Sequence, residues 1–135
     1  MRSQVNQTIQ VGKTKSLELQ PGYYIYCGSA MGSGGIRARV SRHLKVNKNK
    51  HWHIDSLLDW CDVLEVWLCY TSINFEHAWS ELLGKVMDSG TKAFRFGASD
   101  CTCQSHLFFA TKKPKMSWIK TRGVLKIKNR TLSLG

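Results

Sequence analysis

The chain has 135 residues, of which 42% are hydrophobic, and this is enough apolar side-chain mass for one core but hardly for two. We therefore predict a single domain over residues 1–135, in which residues 116–135 form a basic C-terminal extension. No apolar run approaches the roughly 20 residues that a membrane-spanning helix needs, which argues against a membrane protein. Five cysteines, an odd number, and a polar N-terminal stretch lead us to expect a protein of the reducing cytoplasm.

Charge is distributed unevenly along the chain, whose formal net charge is +11. Residues 1–50 carry nine basic side chains and one acidic side chain. Residues 51–100 carry three basic and eight acidic side chains, and residues 101–135 carry eight basic and no acidic side chains. Basic ends around an acidic middle favour a surface that attracts phosphate beside a more negative patch that can hold a cation. A basic surface that serves only solubility has the same composition, so the motifs have to distinguish the two.

The first half of the chain predicts strands and then a helix. Residues 17–20 alternate apolar and polar, residues 23–27 are aromatic and β-branched, and the Pro-Gly pair between them predicts a hairpin of these two segments. Residues 28–35 form a glycine-rich loop, after which apolar side chains recur at helical spacing from Ile36 to Leu44. A helix therefore follows the loop.

The second half of the chain predicts two more helices and three more strands. Apolar stripes indicate a short helix that carries Ile54 and Cys61, and a longer helix over residues 75–86. Strands are predicted within residues 63–70, 106–110 and 124–127. The expected fold class is α+β, with a small mixed or antiparallel sheet flanked by about three helices.

Residues 26–29 and 36–43 carry the first chemical motif. They resemble the second half of the GIY-YIG nuclease motif and the helix that follows it. That family places a Tyr-x-Gly strand end and a loop of small residues before a helix with an apolar residue, an arginine and a His or Tyr, here Ile36, Arg39 and His43. Side chains at i and i+4 share a helix face, where a guanidinium can grip a phosphate and an imidazole can move a proton. The alternative is a solvated basic helix face.

A glutamate on a later helix completes the resemblance. GIY-YIG nucleases use one glutamate to hold a divalent metal ion, and Glu76 stands at the matching place, with Glu81 as the weaker candidate. One carboxylate is sufficient for Mg²⁺ or Mn²⁺, because Mg²⁺ usually keeps several of its waters. Without the resemblance, Glu76 is simply an acid of the kind favoured in a first helical turn.

Within the superfamily, the chain resembles a small prokaryotic branch that is catalogued as a domain of unknown function and is sometimes joined to endonuclease III. The resemblance covers residues 9 to 115 and implies a DNA-repair glycosylase as a possible partner. The matching segments are residues 11–12, 21–30, 39–43, 51–55, 96–103 and 105–107.

The tyrosines depart from the family pattern. Members of this branch carry a Gly-x-Tyr strand before the Val-Gly pair, whereas the ten residues before Val11 include no tyrosine. Tyr24 and Tyr26 share one face of their strand, so one or both could line the site, where a hydroxyl whose pKa is depressed by a metal ion or an arginine could orient or deprotonate water. The alternative is that these rings pack in the core. The departure also leaves open a nucleic-acid-binding module whose catalytic site is degenerate.

Several further side chains are of metal-ligating types, although His-x-His and Cys-x-Cys are less diagnostic than paired Cys-x-x-Cys hooks. The His-x-His segment at residues 51–53 and the Cys-x-Cys segment at residues 101–103 could converge on a zinc ion. Alternatively, these side chains could form a polar network that lines the edge of the site or stabilises the fold. His53 and Asp55 could equally hold substrate. The candidate zinc ligands are His51, His53, Cys101, Cys103 and His106.

Taken with the resemblance, the sequence predicts a metal-dependent endonuclease that hydrolyses DNA phosphodiester bonds. The alternatives are the degenerate binding module and a zinc-stabilised accessory domain of a DNA-repair protein. The predicted catalytic residues are Tyr24, Tyr26, Arg39, His43 and Glu76. The predicted contacts to the nucleic-acid backbone, which give affinity without sequence readout, are Arg37, Arg42, Lys45, Lys48 and Lys50.

Overall fold

A computed structural model describes residues 1–11, 15–29, 34–45, 53–69, 76–86, 106–119 and 123–128, with only the backbone of His53 and Val86. These residues form an α+β fold of small antiparallel sheets and three α-helices, as the sequence predicts. The strands are β1 Arg2–Ser3, β2 Gln7–Val11, β3 Lys15–Leu19, β4 Gly22–Tyr26, β5 Glu65–Leu68, β6 Leu107–Ala110 and β7 Leu125–Lys128. The helices are α1 Gly35–Leu44, α2 His53–Leu57 and α3 Glu76–Val86, with a 3-10 helix at Met116–Ile119.

The central sheet has the order β1-β4-β6, and both pairings are antiparallel. Tyr24 lies opposite Phe109, and Tyr26 lies opposite Leu107. At the start of β4, Gly22 has a φ of +147°, and a Cβ there would stand 2.4 Å from the Phe109 ring. Glycine is therefore required where the two strands come together.

The predicted hairpin of residues 17–20 with residues 23–27 is wrong. β3 pairs with β2, so that Leu17 lies opposite Ile9, and β4 pairs with β1 and β6 instead. The physical reason is a second alternating segment nearby: Ile9 and Val11 on β2 bury their side chains on the same face as Leu17 and Leu19 on β3. An antiparallel pair with matched apolar faces excludes more water than the pairing across Pro-Gly would.

Two apolar cores lie on the two faces of the central sheet. One joins the β2–β3 hairpin and α2 to one face and includes Tyr24, Leu107 and Phe109. The other joins α3 and the 3-10 helix to the opposite face and includes Ile25, Phe108 and Ala110. Alternate residues of β4 and β6 thus supply both cores, as the period of two along a strand requires.

The remaining predicted elements are present, but the second helix is shorter than predicted: α2 ends at Leu57, so Cys61, which was expected on its apolar face, lies beyond it. Segments 63–70, 106–110 and 124–127 contain β5, β6 and β7, and β5 pairs with β7 in a separate two-stranded sheet. Helix α1 begins after Gly34, whose φ is +83°, and it has no fully buried residue. Among the helices that the structure describes, none is both long and apolar enough to cross a membrane.

Candidate active site

Tyr26 and Arg39 bring the end of β4 and the middle of α1 together. The Arg39 guanidinium donates a hydrogen bond to the Tyr26 hydroxyl. Gly28 lies beside both groups, since a Cβ there would be 3.2 Å from Tyr26 Cε1 and 3.5 Å from Arg39 Nη2. The Tyr-x-Gly spacing therefore has a structural meaning: the missing side chain leaves room for the arginine to reach the phenol.

Burial and charge act in opposite directions on the Tyr26 phenol. Desolvation by burial raises the pKa of Tyr26, the Arg39 charge and hydrogen bond lower it, and the nearby Glu76 charge raises it. Burial prevails, so the pKa of Tyr26 lies above its ordinary value. At neutral pH the hydroxyl therefore remains protonated, and it can donate a hydrogen bond to an oxygen of a bound group.

His43 lies one helical turn beyond Arg39 on α1. Its ring meets the Tyr26 ring edge-on, with the two centroids 6.4 Å apart. Its Nδ1 lies 3.4 Å from Oδ1 of the buried Asp55. The predicted i, i+4 pair therefore does reach the same part of the fold as the tyrosine.

Glu76 opens α3 and lies close enough to Tyr26 for its charge to act on the phenol. Its Oε1 lies 2.8 Å from Nδ1 of His106, the residue that precedes β6. His106 is 1% exposed, and the His77 ring stands edge-on to it with the centroids 5.8 Å apart. The first turn of α3 is thus attached to the central sheet through the carboxylate that the sequence assigns to a metal.

A cleft of about 300 Å³ joins these groups. Tyr26, Arg39, His43 and Glu76 all line it, and apolar side chains make up much of the remaining wall. A largely apolar cleft with a few convergent polar groups is the usual form of a ligand site. Here the polar groups comprise one guanidinium, one phenol, one imidazole and one carboxylate.

Tyr24 also lines the cleft, but its contacts differ from those of Tyr26. Its side chain is 2% exposed, its ring centroid is 5.1 Å from that of Phe109, and its hydroxyl accepts a hydrogen bond of 3.0 Å from the Gln20 backbone N–H. Burial raises the pKa of Tyr24 as well. The structure thus places Tyr24 in the core between the hairpin and the central sheet, with its hydroxyl engaged by backbone.

The predicted backbone-contact residues divide into three groups. Arg37 is exposed on α1, and Lys45 is exposed just after it. Arg42 instead turns toward α2, where its Nη1 lies 3.3 Å from Asp55 Oδ2. Lys48 and Lys50 lie outside the described residues.

The zinc prediction falls largely outside the described residues, which exclude His51, Cys101, Cys103 and the side chain of His53. Its remaining member, His106, lies beside Glu76. Within the described ranges, no group of three or more His, Cys, Asp or Glu side chains is arranged to hold a metal ion. Glu81, the weaker metal candidate, is exposed on α3.

Two buried polar residues have contacts that the sequence reasoning missed. The sequence left Asp55 as a possible substrate contact and His106 as a possible zinc ligand or a member of a polar network around the site, and each lies against a predicted catalytic residue. The available signal was an ionisable residue within an apolar pattern, since such residues are buried only when they are paired. Spacing alone did not reveal which partners they would find, because these contacts join different elements.

Comparison with known proteins gives one match. The family model described as "Domain of unknown function DUF123" matches residues 1–126. No curated protein and no solved structure matches the chain.

Proposed function

We propose, from the premise that this chain belongs to the family described as Domain of unknown function DUF123, that it is a metal-dependent endonuclease of the GIY-YIG kind. Its substrate would be DNA, and its reaction the hydrolysis of a phosphodiester bond. The observation that carries the proposal is the convergence of Tyr26, Arg39 and Glu76 on one cleft from β4, α1 and α3.

The residues of this cleft match the needs of phosphodiester hydrolysis. The Arg39 guanidinium can stabilise the charge that builds on the non-bridging phosphate oxygens, and the protonated Tyr26 hydroxyl can donate to one of them. Water adds to phosphorus while one P–O ester bond breaks, so a proton must leave the water and another must reach the leaving oxygen. The His43 imidazole is suited to accept the first.

Glu76 is the residue that would hold the metal ion. A carboxylate has two oxygens with several acceptor positions, so the His106 contact at Oε1 leaves capacity for Mg²⁺ or Mn²⁺, which favour oxygen ligands. When bound, a divalent cation supplies positive charge that lowers the pKa of a water molecule and offsets the charge of the phosphate. His106 would keep the carboxylate in one orientation.

The basic surface supports nucleic acid as the substrate. Arg37 is exposed on the helix that bears Arg39, Lys45 is exposed just after that helix, and the chain carries a net charge of +11. On the resemblance alone, a DNA-repair glycosylase of the endonuclease III kind is the proposed partner. The reducing cytoplasm is the proposed compartment, which the free thiols of Cys27, Cys61 and Cys69 support.

A second function is favoured by one observation on the central sheet. Within the described strands, neither neighbour of β4 carries a tyrosine, because β1 is Arg-Ser and β6 is Leu-Phe-Phe-Ala. A site with one tyrosine in place of the two that the family motif provides could bind a phosphodiester without cutting it. The second candidate is therefore a nucleic-acid-binding module with a degenerate catalytic site.

Cleavage of labelled duplex, branched and single-stranded DNA in Mg²⁺ or Mn²⁺ tests the proposal. We expect cutting that a chelator abolishes and that the Arg39→Ala variant loses by roughly 100-fold or more, since a donor to the transition-state charge is removed. Binding of the same DNA by gel shift is the control. An unaltered chain that binds these substrates and cuts none of them would contradict the nuclease and favour the binding module.

A further inference from the structure

Asp55 on α2 is a buried carboxylate outside the motif that defines the site. Its side chain is 0% exposed, its Oδ2 lies 3.3 Å from Arg42 Nη1, and its Oδ1 lies 3.4 Å from His43 Nδ1. A buried charge is costly unless it is paired, and here one carboxylate contacts two consecutive residues of α1. The contact therefore joins α2 to the helix that carries Arg39.

The two halves of this contact have different consequences. Arg42 is 34% exposed and compensates the buried charge from the solvent side. His43 is 16% exposed and lines the cleft with Tyr26 and Arg39. An imidazole that contacts a carboxylate through Nδ1 carries its proton there, because a carboxylate can only accept. The lone pair of a neutral His43 then belongs to Nε2.

We propose that Asp55 is a positioning residue that accepts a hydrogen bond from His43 Nδ1–H and thereby makes Nε2 the proton-accepting nitrogen of the site. The catalytic meaning of this assignment rests on the proposed function. When water attacks phosphorus, its O–H bond breaks and an Nε2–H bond forms, and the resulting imidazolium is stabilised by the Asp55 carboxylate. The Nε2 proton then passes to the leaving oxygen or to solvent, and neutral His43 returns.

The tautomer of His43 in the unaltered, full-length chain provides the first test, and it needs neither metal nor substrate. Labelling the five histidines with ¹⁵N and correlating ring nitrogens with ring protons distinguishes the two tautomers. A His43→Gln variant identifies the His43 signals. At a pH where the ring is neutral, we expect the proton on Nδ1 and a bare Nε2. A neutral ring with its proton on Nε2 and a bare Nδ1 would overturn the proposal.

The second test compares Asp55→Asn with Asp59→Asn, a matched change four residues further along the chain, beyond the end of α2, at an exposed position. An asparagine can present either its oxygen or its amide to Nδ1, so the His43 ring should populate both tautomers. The kcat for DNA cleavage should fall by at least about tenfold with KM nearly unchanged, because proton transfer and not binding is impaired. Asp59→Asn should leave the tautomer and kcat as they are.

These measurements separate failure of this inference from failure of the proposed function. If the unaltered chain cuts no DNA, the nuclease fails, and the tautomer comparison alone decides whether Asp55 fixes His43. A folded Asp55→Asn variant with an unchanged tautomer overturns the inference, and so does a changed tautomer with an unchanged kcat. If Asp55→Asn does not fold, the tautomer of the unaltered chain still decides.

Discussion

The pKa of the Tyr26 phenol depends on burial and on the charges of Arg39 and Glu76. Burial raises this pKa above the ordinary value, although the Arg39 guanidinium acts against that change. The hydrogen bond to Arg39 also fixes where both groups lie. At the residue scale the proposed site therefore depends on close approach of the end of β4 to α1, and Gly28 permits that approach.

Replacing Gly28 with valine should impair the site more than the fold. A Cβ at this position would lie 3.2 Å from Tyr26 Cε1, which is tighter than an ordinary contact, so the Tyr26 ring has to shift. Arg39 Nη2, at 3.5 Å, would be in ordinary contact with the Cβ and leaves little room for the valine methyl groups. We expect cleavage to fall by about tenfold or more, since misplacement by 1 Å can cost 10²-fold. Gly84→Ala on α3, where a Cβ would make an ordinary 3.7 Å contact, is the control. Equal activity of the two variants would argue against the required approach.

The contact between His106 and Glu76 makes a separate prediction at the same scale. His106→Gln removes an imidazole that lies 2.8 Å from Glu76 Oε1, so the carboxylate is no longer held in one orientation. Affinity for Mn²⁺, measured by electron paramagnetic resonance, should fall by about 10 to 100-fold. His77→Gln, which removes the imidazole that stands edge-on to His106, should change it little. Unaltered Mn²⁺ affinity in His106→Gln would show that the contact has no part in metal binding.

At the scale of elements, the sequence predicted the helices better than the strand pairing. Apolar spacing located α1, α2 and α3, because a helix is specified by contacts within one segment. The hairpin was wrong because alternation shows which face of a strand is buried but not which strand lies next to it. The same reasoning explains the site: the Arg39–His43 pair follows from helical spacing, whereas the partners of Asp55 and His106 depend on how separate elements pack.

The β2–β3 pairing can be tested through its buried face. Leu17 is 1% exposed and lies opposite Ile9, whereas the neighbouring Glu18 points to solvent. Leu17→Ala should lower the free energy of unfolding by about 2 to 5 kcal/mol, measured by urea denaturation. Glu18→Ala should change it by less than about 0.5 kcal/mol. If the two substitutions lowered the free energy of unfolding by similar amounts, Leu17 would not be the buried residue that the β2–β3 pairing requires.

At the scale of the whole molecule, charge should govern affinity for DNA while the cleft governs chemistry. The observed binding constant should fall with salt, with a logarithmic slope of about −0.9 for each neutralised phosphate of duplex DNA. Arg37→Gln, on the exposed side of α1, should make the slope shallower by about that amount. Lys15→Gln on β3 removes the same charge away from α1 and should leave the slope unchanged. Equal slopes for the two variants would mean that net charge, and not the α1 surface, determines binding.

The most direct test of the active site compares two glutamates of one helix. Glu76 opens α3 beside Tyr26 and His106, and Glu81 is exposed on the same helix. Glu76→Gln keeps the shape of the side chain but removes the charge that a divalent ion needs, whereas Glu81→Gln makes the same change away from the cleft. In Mn²⁺-dependent cleavage of DNA, we expect Glu76→Gln to be inactive and Glu81→Gln to cut like the unaltered chain. Cutting by Glu76→Gln at the unaltered rate would contradict the proposed role of Glu76.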